Sequence, residues 1–341
     1  GITALIRGGD RVLIGADPLL DAFVRLDLAG PSEADPASIP AQDPDSPAHP
    51  PSPSAVARLG EALFFTTLMA PWNRSTGPLS RFTCETCHFE GQVDGRTHHT
   101  GRGEIHATTK PLLGLFNNRP HFSRALDPDL TSVADAEFRV AGALSDHDPW
   151  FSAPLAEAPW LPLLGLPASA LTPVELRRAL MTFLMAFTHR PNPAVLGRDA
   201  YSALEKKGSA LFQRRCEGCH QARLVSDEPT SRVPVEGWER LIFSREGPIV
   251  WASIEYRKTG VEPYVHEQGA RTPSLRRLFA KRPYFTNGSA KDLESVLSRV
   301  GFGDGASGLA PFFHDMVKAE GTLHALDDEE QRALRAFLDL L

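Results

Sequence analysis

Cys84-Glu-Thr-Cys87-His88 and Cys216-Glu-Gly-Cys219-His220 are the stretches from which the fold of this chain is read. Each is Cys-x-x-Cys-His, and together they hold all four cysteines of the 341 residues. The spacing sets two thiols one turn apart, with an imidazole beside the second. That arrangement suits covalent haem: each thiol forms a thioether with a haem vinyl group, and the histidine supplies an axial nitrogen to the iron. The competing reading is zinc, which Cys-x-x-Cys pairs also bind. Zinc ribbons keep their pairs within roughly 15–20 residues of each other, whereas Cys87 and Cys216 are far apart, and a histidine follows both pairs. The reading is therefore two covalently bound haem c groups, with His88 and His220 as proximal ligands. The chain is then an electron-transfer protein or a haem redox enzyme.

The composition sets further bounds. Hydrophobic residues make up 42% of the chain, enough for sizeable cores, and the length suits two ordinary domains. A net charge of −6 argues against nucleic acid as a partner. No apolar run reaches the roughly 18 residues of a transmembrane helix. No signal peptide is visible at Gly1. Covalent haem attachment normally takes place outside the cytoplasm, so a periplasmic or otherwise exported location is expected, the signal being removed or left out. With all cysteines committed, no disulfide is expected, and stability rests on packing and the haems.

Along the chain, Ile2–Ile6, Arg11–Ile14 and Ala22–Leu28 read as short strands, the first two separated by the turn signal Gly8-Gly9-Asp10. Residues 1–30 are thus a short β segment. Residues 31–54 carry prolines at 31, 36, 40, 44, 47, 50, 51 and 53 and read as an extended linker without a core. From Ala55 the pattern turns helical, with Val56, Leu59, Leu63 and Phe64 at helical spacing. Thr172-Pro-Val-Glu175 opens a helix with a cap, a first-turn proline and a returning glutamate. The same grammar recurs later. Lys207-Gly-Ser-Ala-Leu-Phe212 echoes Leu59-Gly-Glu-Ala-Leu-Phe64, and Asp327-Asp-Glu-Glu330 opens a last amphipathic helix through Leu334, Phe337 and Leu338. The expected fold is mainly α: two cytochrome c-like helical haem domains, over residues 55–200 and 201–341. Little β structure is expected beyond the N-terminal segment.

These residues resemble the bacterial di-haem cytochrome c peroxidase family, which includes MauG-type enzymes. The resemblance is carried by Leu59–Phe65, both Cys-x-x-Cys-His elements, Arg271-Thr-Pro-Ser-Leu275, and Pro283-Tyr-Phe-Thr-Asn-Gly-Ser289 followed by Leu293-Glu294. It covers residues 55–341. It implies a peroxidatic haem in the N-terminal domain and an electron-transfer haem in the C-terminal one. Departures are equally plain. The family's histidine in the Pro-Tyr-x-His segment is Thr286 here, and its methionine or tyrosine ligand to the second haem falls near Val300, which cannot bind iron. His314 is the best substitute, with Met316, Tyr264 and His266 as weaker ones. The family's inter-haem tryptophan aligns with Phe122; Trp150, Trp238 and Trp251 are other carriers to consider. The family also implies a calcium ion between the domains. Backbone oxygens near Lys281 and Pro283 match it, but the asparagine ligand is Thr109 and Lys281 brings a positive charge.

Splitting peroxide needs a base to move a proton and a cationic or hydrogen-bonding group to stabilise separating charge. His98-His-Thr-Gly-Arg102-Gly-Glu104-Ile-His106 follows the first haem element and holds all of these types. Arg102, Glu104 and His106 are the candidate distal residues, with Glu137 where the family keeps an acid. The resemblance implies an enzyme of MauG type, using hydrogen peroxide to reach high-valent iron and oxidise a side chain on a partner protein at long range. The absent methionine favours this, because methionine raises haem potential. The alternatives are a peroxidase reducing hydrogen peroxide to water with electrons from a small cytochrome or cupredoxin, and a non-enzymatic di-haem electron carrier.

Overall fold

A computed structural model describes residues 4–17, 22–27, 38–40, 54–66, 83–91, 93–99, 106–112, 121, 130–133, 172–185, 191–224, 231–253, 272–303, 312–313 and 323–341. The chain divides into two compact units. One comprises residues 1–91 and 131–189, the other residues 92–130 and 190–341.

The first unit begins with an antiparallel sheet in the order β1 (Ala4–Arg7), β2 (Val12–Asp17), β3 (Ala22–Asp27) and β4 (Ser38–Pro40). The first turn closes where Gly8 N–H donates to Val12 O at 2.8 Å. β4 comes from inside the proline-rich stretch read above as a plain spacer. Proline favours extended backbone, and a strand that pairs on one side only, as β4 does with β3, tolerates its missing donor.

Helix α1 (Ala55–Phe65) packs on α2 (Pro173–Met185) in the same unit. α1 buries Leu59, Gly60, Leu63 and Phe64; α2 buries Leu176, Ala179, Leu180, Phe183 and Leu184. Those positions recur at three- and four-residue intervals and form one stripe on each helix. The start of α2 follows the sequence reading: Thr172 N–H donates to Glu175 Oε2 at 2.7 Å, and Glu175 N–H to Thr172 Oγ1 at 3.3 Å. The Phe64 and Phe183 rings meet at 5.5 Å between centroids.

The second unit repeats this plan. Helix α3 (Ala203–Arg215) packs on the last helix, α6 (Asp328–Leu338). Between them in sequence lie α4 (Trp238–Ile242) and α5 (Leu293–Leu297). Capping boxes start both long helices, Ser202 with Glu205 and Asp327 with Glu330. The core gathers Phe212, Trp238, Trp251 and Phe337 in mutual ring contact, edge-to-face for Trp238 and Trp251 at 5.0 Å. Among the described residues, its strands form a two-stranded ribbon, β5 (Thr97–His99) with β6 (His106–Thr108), and a small sheet ordered β8 (Phe312–Phe313), β7 (Gly301–Gly303), β9 (Leu323–Ala325). No described helix is long and apolar enough to cross a membrane.

The recurrence reaches atomic detail. Gly60 sits where a Cβ would lie 2.0 Å from Ala179 O and 2.6 Å from Phe183 Cβ. Gly208 sits where a Cβ would lie 1.9 Å from Ala333 O and 2.8 Å from Phe337 Cβ. In each unit a glycine lets two helices cross in backbone contact, opposite an Ala-x-x-x-Phe face of the partner.

Candidate haem-attachment sites

Both Cys-x-x-Cys-His elements form the same turn. In the first, Cys84 O accepts from Cys87 N–H at 3.3 Å and from His88 N–H at 3.0 Å. In the second, Cys216 O accepts from Cys219 N–H at 3.1 Å and from His220 N–H at 2.8 Å. One carbonyl thus gathers the second thiol and the histidine onto the turn that starts at the first thiol. All four cysteines are half-buried and uncrosslinked. Thr83 shapes the first turn, donating its N–H to Thr86 Oγ1 at 3.0 Å. The second grows directly from α3: Cys216 and Glu217 N–H both donate to Phe212 O, at 2.8 and 3.0 Å.

The surroundings of His220 explain Arg271-Thr-Pro-Ser-Leu275. Ser274 Oγ donates to Val250 O at 2.6 Å, and Leu275 N–H to Trp251 O at 3.2 Å, which pins this segment against residues 250–251. Pro273 O is thereby set 3.2 Å from His220 Nδ1. The chain after His220 runs along the same residues, with Ala252 N–H donating to Gln221 O at 3.0 Å and Val250 N–H to Arg223 O at 2.7 Å. Arg223, 1% exposed, donates its Nε to Ala252 O at 2.7 Å and locks this crossing from within.

His220 is 7% exposed, and its pKa is pushed down to about 4. Burial is the main cause; hydrogen bonds to the backbone of Trp251 and Pro273 oppose it, and the Lys281 charge adds to it. The imidazole is therefore neutral near pH 7. With its proton on Nδ1, facing Pro273 O, the lone pair is on Nε2, as an axial ligand requires. Burial also pushes the Cys216 thiol up to about 12, with Cys219 adding to the effect and Arg215 opposing it. Cys216 and Cys219 pack against the apolar cluster that contains Phe212 and Trp251. Paired thiols beside a neutral, backbone-oriented imidazole on an apolar wall fit a covalently bound haem.

Of the other residues singled out from sequence, Arg102, Glu104, Glu137 and His314 lie outside the described residues, as do Phe122, Trp150, Tyr264, His266 and Met316. His106 stands exposed on β6, where it is in register with His99 on β5. His98 Nε2 meets Asp94 Oδ2 at 2.6 Å. Asp94 also accepts from Arg96 N–H at 3.0 Å and from the Thr109 hydroxyl. Burial would raise the Asp94 carboxyl; these hydrogen bonds outweigh it and hold the group below its usual value. Thr286 is buried, and its carbonyl accepts from Thr108 N–H at 2.7 Å. Val300 is 4% exposed within the apolar cluster.

Asp94, Thr108 and Lys110 were not foreseen. They are single polar residues in loop and ribbon, and the partners of Thr108 and Lys110 lie some 175 positions away. No periodicity marks such residues.

No protein-family model and no curated protein matches the chain. Two solved structures align with most of it. A hydrazine synthase chain of Kuenenia stuttgartiensis is 18% identical, covering 86% of this chain and 89% of its own, with a TM-score of 0.48. A MauG-like protein associated with microbial copper homeostasis is 16% identical, covering 87% of this chain and 91% of its own, with a TM-score of 0.49.

Proposed function

We propose that this protein is a di-haem c-type oxidoreductase that uses hydrogen peroxide to oxidise a side chain on a partner protein at long range. The carrying observation is the twice-made turn in which Cys84 O gathers Cys87 and His88, and Cys216 O gathers Cys219 and His220. Cys84, Cys87, Cys216 and Cys219 would hold two haems, with His88 and His220 as proximal ligands. Bound haem would supply the redox chemistry, reacting with peroxide and exchanging electrons.

The chain's own residues do the rest. Pro273 O orients the His220 ring, and burial keeps that ring neutral. Val300 fills its place with aliphatic surface and offers no donor. Loss of a methionine at that position removes a ligand that raises haem potential, which favours oxidation of a partner over electron intake from small carriers. Trp238 and Trp251 are oxidisable side chains packed edge-to-face in the core against which Cys216 and Cys219 lie, and would be the nearby electron carriers for a haem held there. The proton movements of peroxide cleavage fall to residues 98–106, with Arg102, Glu104 and His106, and to Glu137. An exported location follows from haem attachment.

The test is one equivalent of peroxide added to the fully oxidised, haem-loaded protein, followed by optical and EPR spectroscopy. A long-lived change without prior reduction is expected. Reaction only after one haem is reduced, with turnover on a small donor, would make the protein a peroxide scavenger. No response to peroxide or cyanide would make it an electron carrier.

A further inference from the structure

The loop over residues 283–290 closes on itself through Tyr284 N–H to Ala290 O at 2.7 Å, with left-handed backbone at Phe285 (φ 64°) and Gly288 (φ 70°). This turn gives the carbonyls of Phe285 and Thr286 to the strand β6 and the residues just after it. Thr108 N–H donates to Thr286 O at 2.7 Å, and Thr108 Oγ1 lies 3.3 Å from Phe285 O and 3.2 Å from Thr286 O. Carbonyl and hydroxyl oxygens gathered in this way are the ligand type of a hard cation. A cation is already there. Lys110 Nζ donates to Phe285 O at 2.9 Å and to Thr108 Oγ1 at 2.5 Å.

The calcium implied by the family resemblance does not fit these residues. Thr109, in the place of the asparagine ligand, gives its hydroxyl to Asp94. The Asp94 carboxylate is itself committed to Arg96 N–H and His98. Lys281, near which the resemblance sets a backbone ligand, turns its ammonium to Ser274 O at 2.7 Å. A divalent ion would meet the Lys110 ammonium on the very oxygens it needs, and calcium takes about 6–8 oxygen ligands.

We infer that the second unit closes this junction with its own ammonium group, Lys110, in place of calcium. The lysine is a compact charge with three donors, and it ties the 106–112 segment to the turn at Phe285 without a metal.

The haem-loaded protein is treated with EGTA, then titrated with calcium chloride, with thermal unfolding and isothermal titration calorimetry as readouts. Tm is expected to stay the same throughout, with no binding heat. A Tm that rises with calcium, or one ion bound per chain, overturns the inference. Lys110→Gln is expected to lower Tm by roughly 3–6 °C and to speed amide hydrogen exchange over residues 283–290. Unchanged Tm and exchange in that variant would equally overturn it.

Discussion

Gly208 and Ala333 meet backbone to backbone: a Cβ on the glycine would lie 1.9 Å from the alanine carbonyl oxygen. Backbone cannot yield as a side-chain tip can, so the helices would have to separate. Gly208→Ala is expected to destabilise the second unit by about 3 kcal/mol, read as a drop in Tm of that unit. Gly60→Ala, facing Ala179 O at 2.0 Å, should do the same to the first. Ala210→Ser, one turn-face away on exposed surface, is the control and should be near neutral.

If each turn carries one haem, the two can be removed separately. Cys84→Ala with Cys87→Ala should leave one covalent haem, and Cys216→Ala with Cys219→Ala the other. Denaturing mass spectrometry counts them. Two haems retained in either double variant would defeat the assignment.

Ser274 acts on His220 through Pro273. Ser274→Ala removes the hydroxyl that donates to Val250 O at 2.6 Å and accepts from Arg276 N–H at 3.1 Å. Pro273 O should then drift from His220 Nδ1, making the imidazole a weaker donor to iron. The expected result is a higher reduction potential for one haem only, measured by spectroelectrochemistry, with the haem count unchanged.

Glu205 predicts the acid limb of stability. It forms a two-pronged pair with Arg198, Oε1 to Nη1 at 2.9 Å and Oε2 to Nη2 at 2.5 Å, and caps α3 through Ser202. Burial alone would raise its pKa; the Arg198 and Ser202 hydrogen bonds win and lower it below 4.5. Its stabilisation is therefore complete above the unfolded value and lost as pH falls through the folded one. Glu205→Gln should cost about 1–2 kcal/mol at pH 7 and flatten the pH dependence below 4.5, followed by urea unfolding across pH.

Much of this was legible in sequence because it is local. Thr172 with Glu175, and Leu176 through Leu184, announce a capped amphipathic helix within a dozen residues. The Cys-x-x-Cys-His spacing shows its turn on its face. The twin glycines appear as a repeated Gly-x-Ala-Leu-Phe, although only the crossing with Ala179 and Ala333 shows why each must be glycine. What stayed hidden depends on distant partners. Lys110 meets Phe285 across the chain, Pro273 meets His220, and β4 pairs from inside a proline-rich stretch whose composition suggests no sheet at all.

The half-covered Cys216 thiol, with a pKa near 12, bears on when haem could be joined to the chain. Addition to a vinyl group needs a nucleophilic sulfur, and burial in the folded second unit disfavours the Cys216 thiolate. If a haem is joined here, the sulfur is more reactive before α3 closes on α6, which favours one order of assembly: cofactor joined first, core sealed behind it. A variant that folds too fast or too stably before haem arrives would become a dead end, stable but empty.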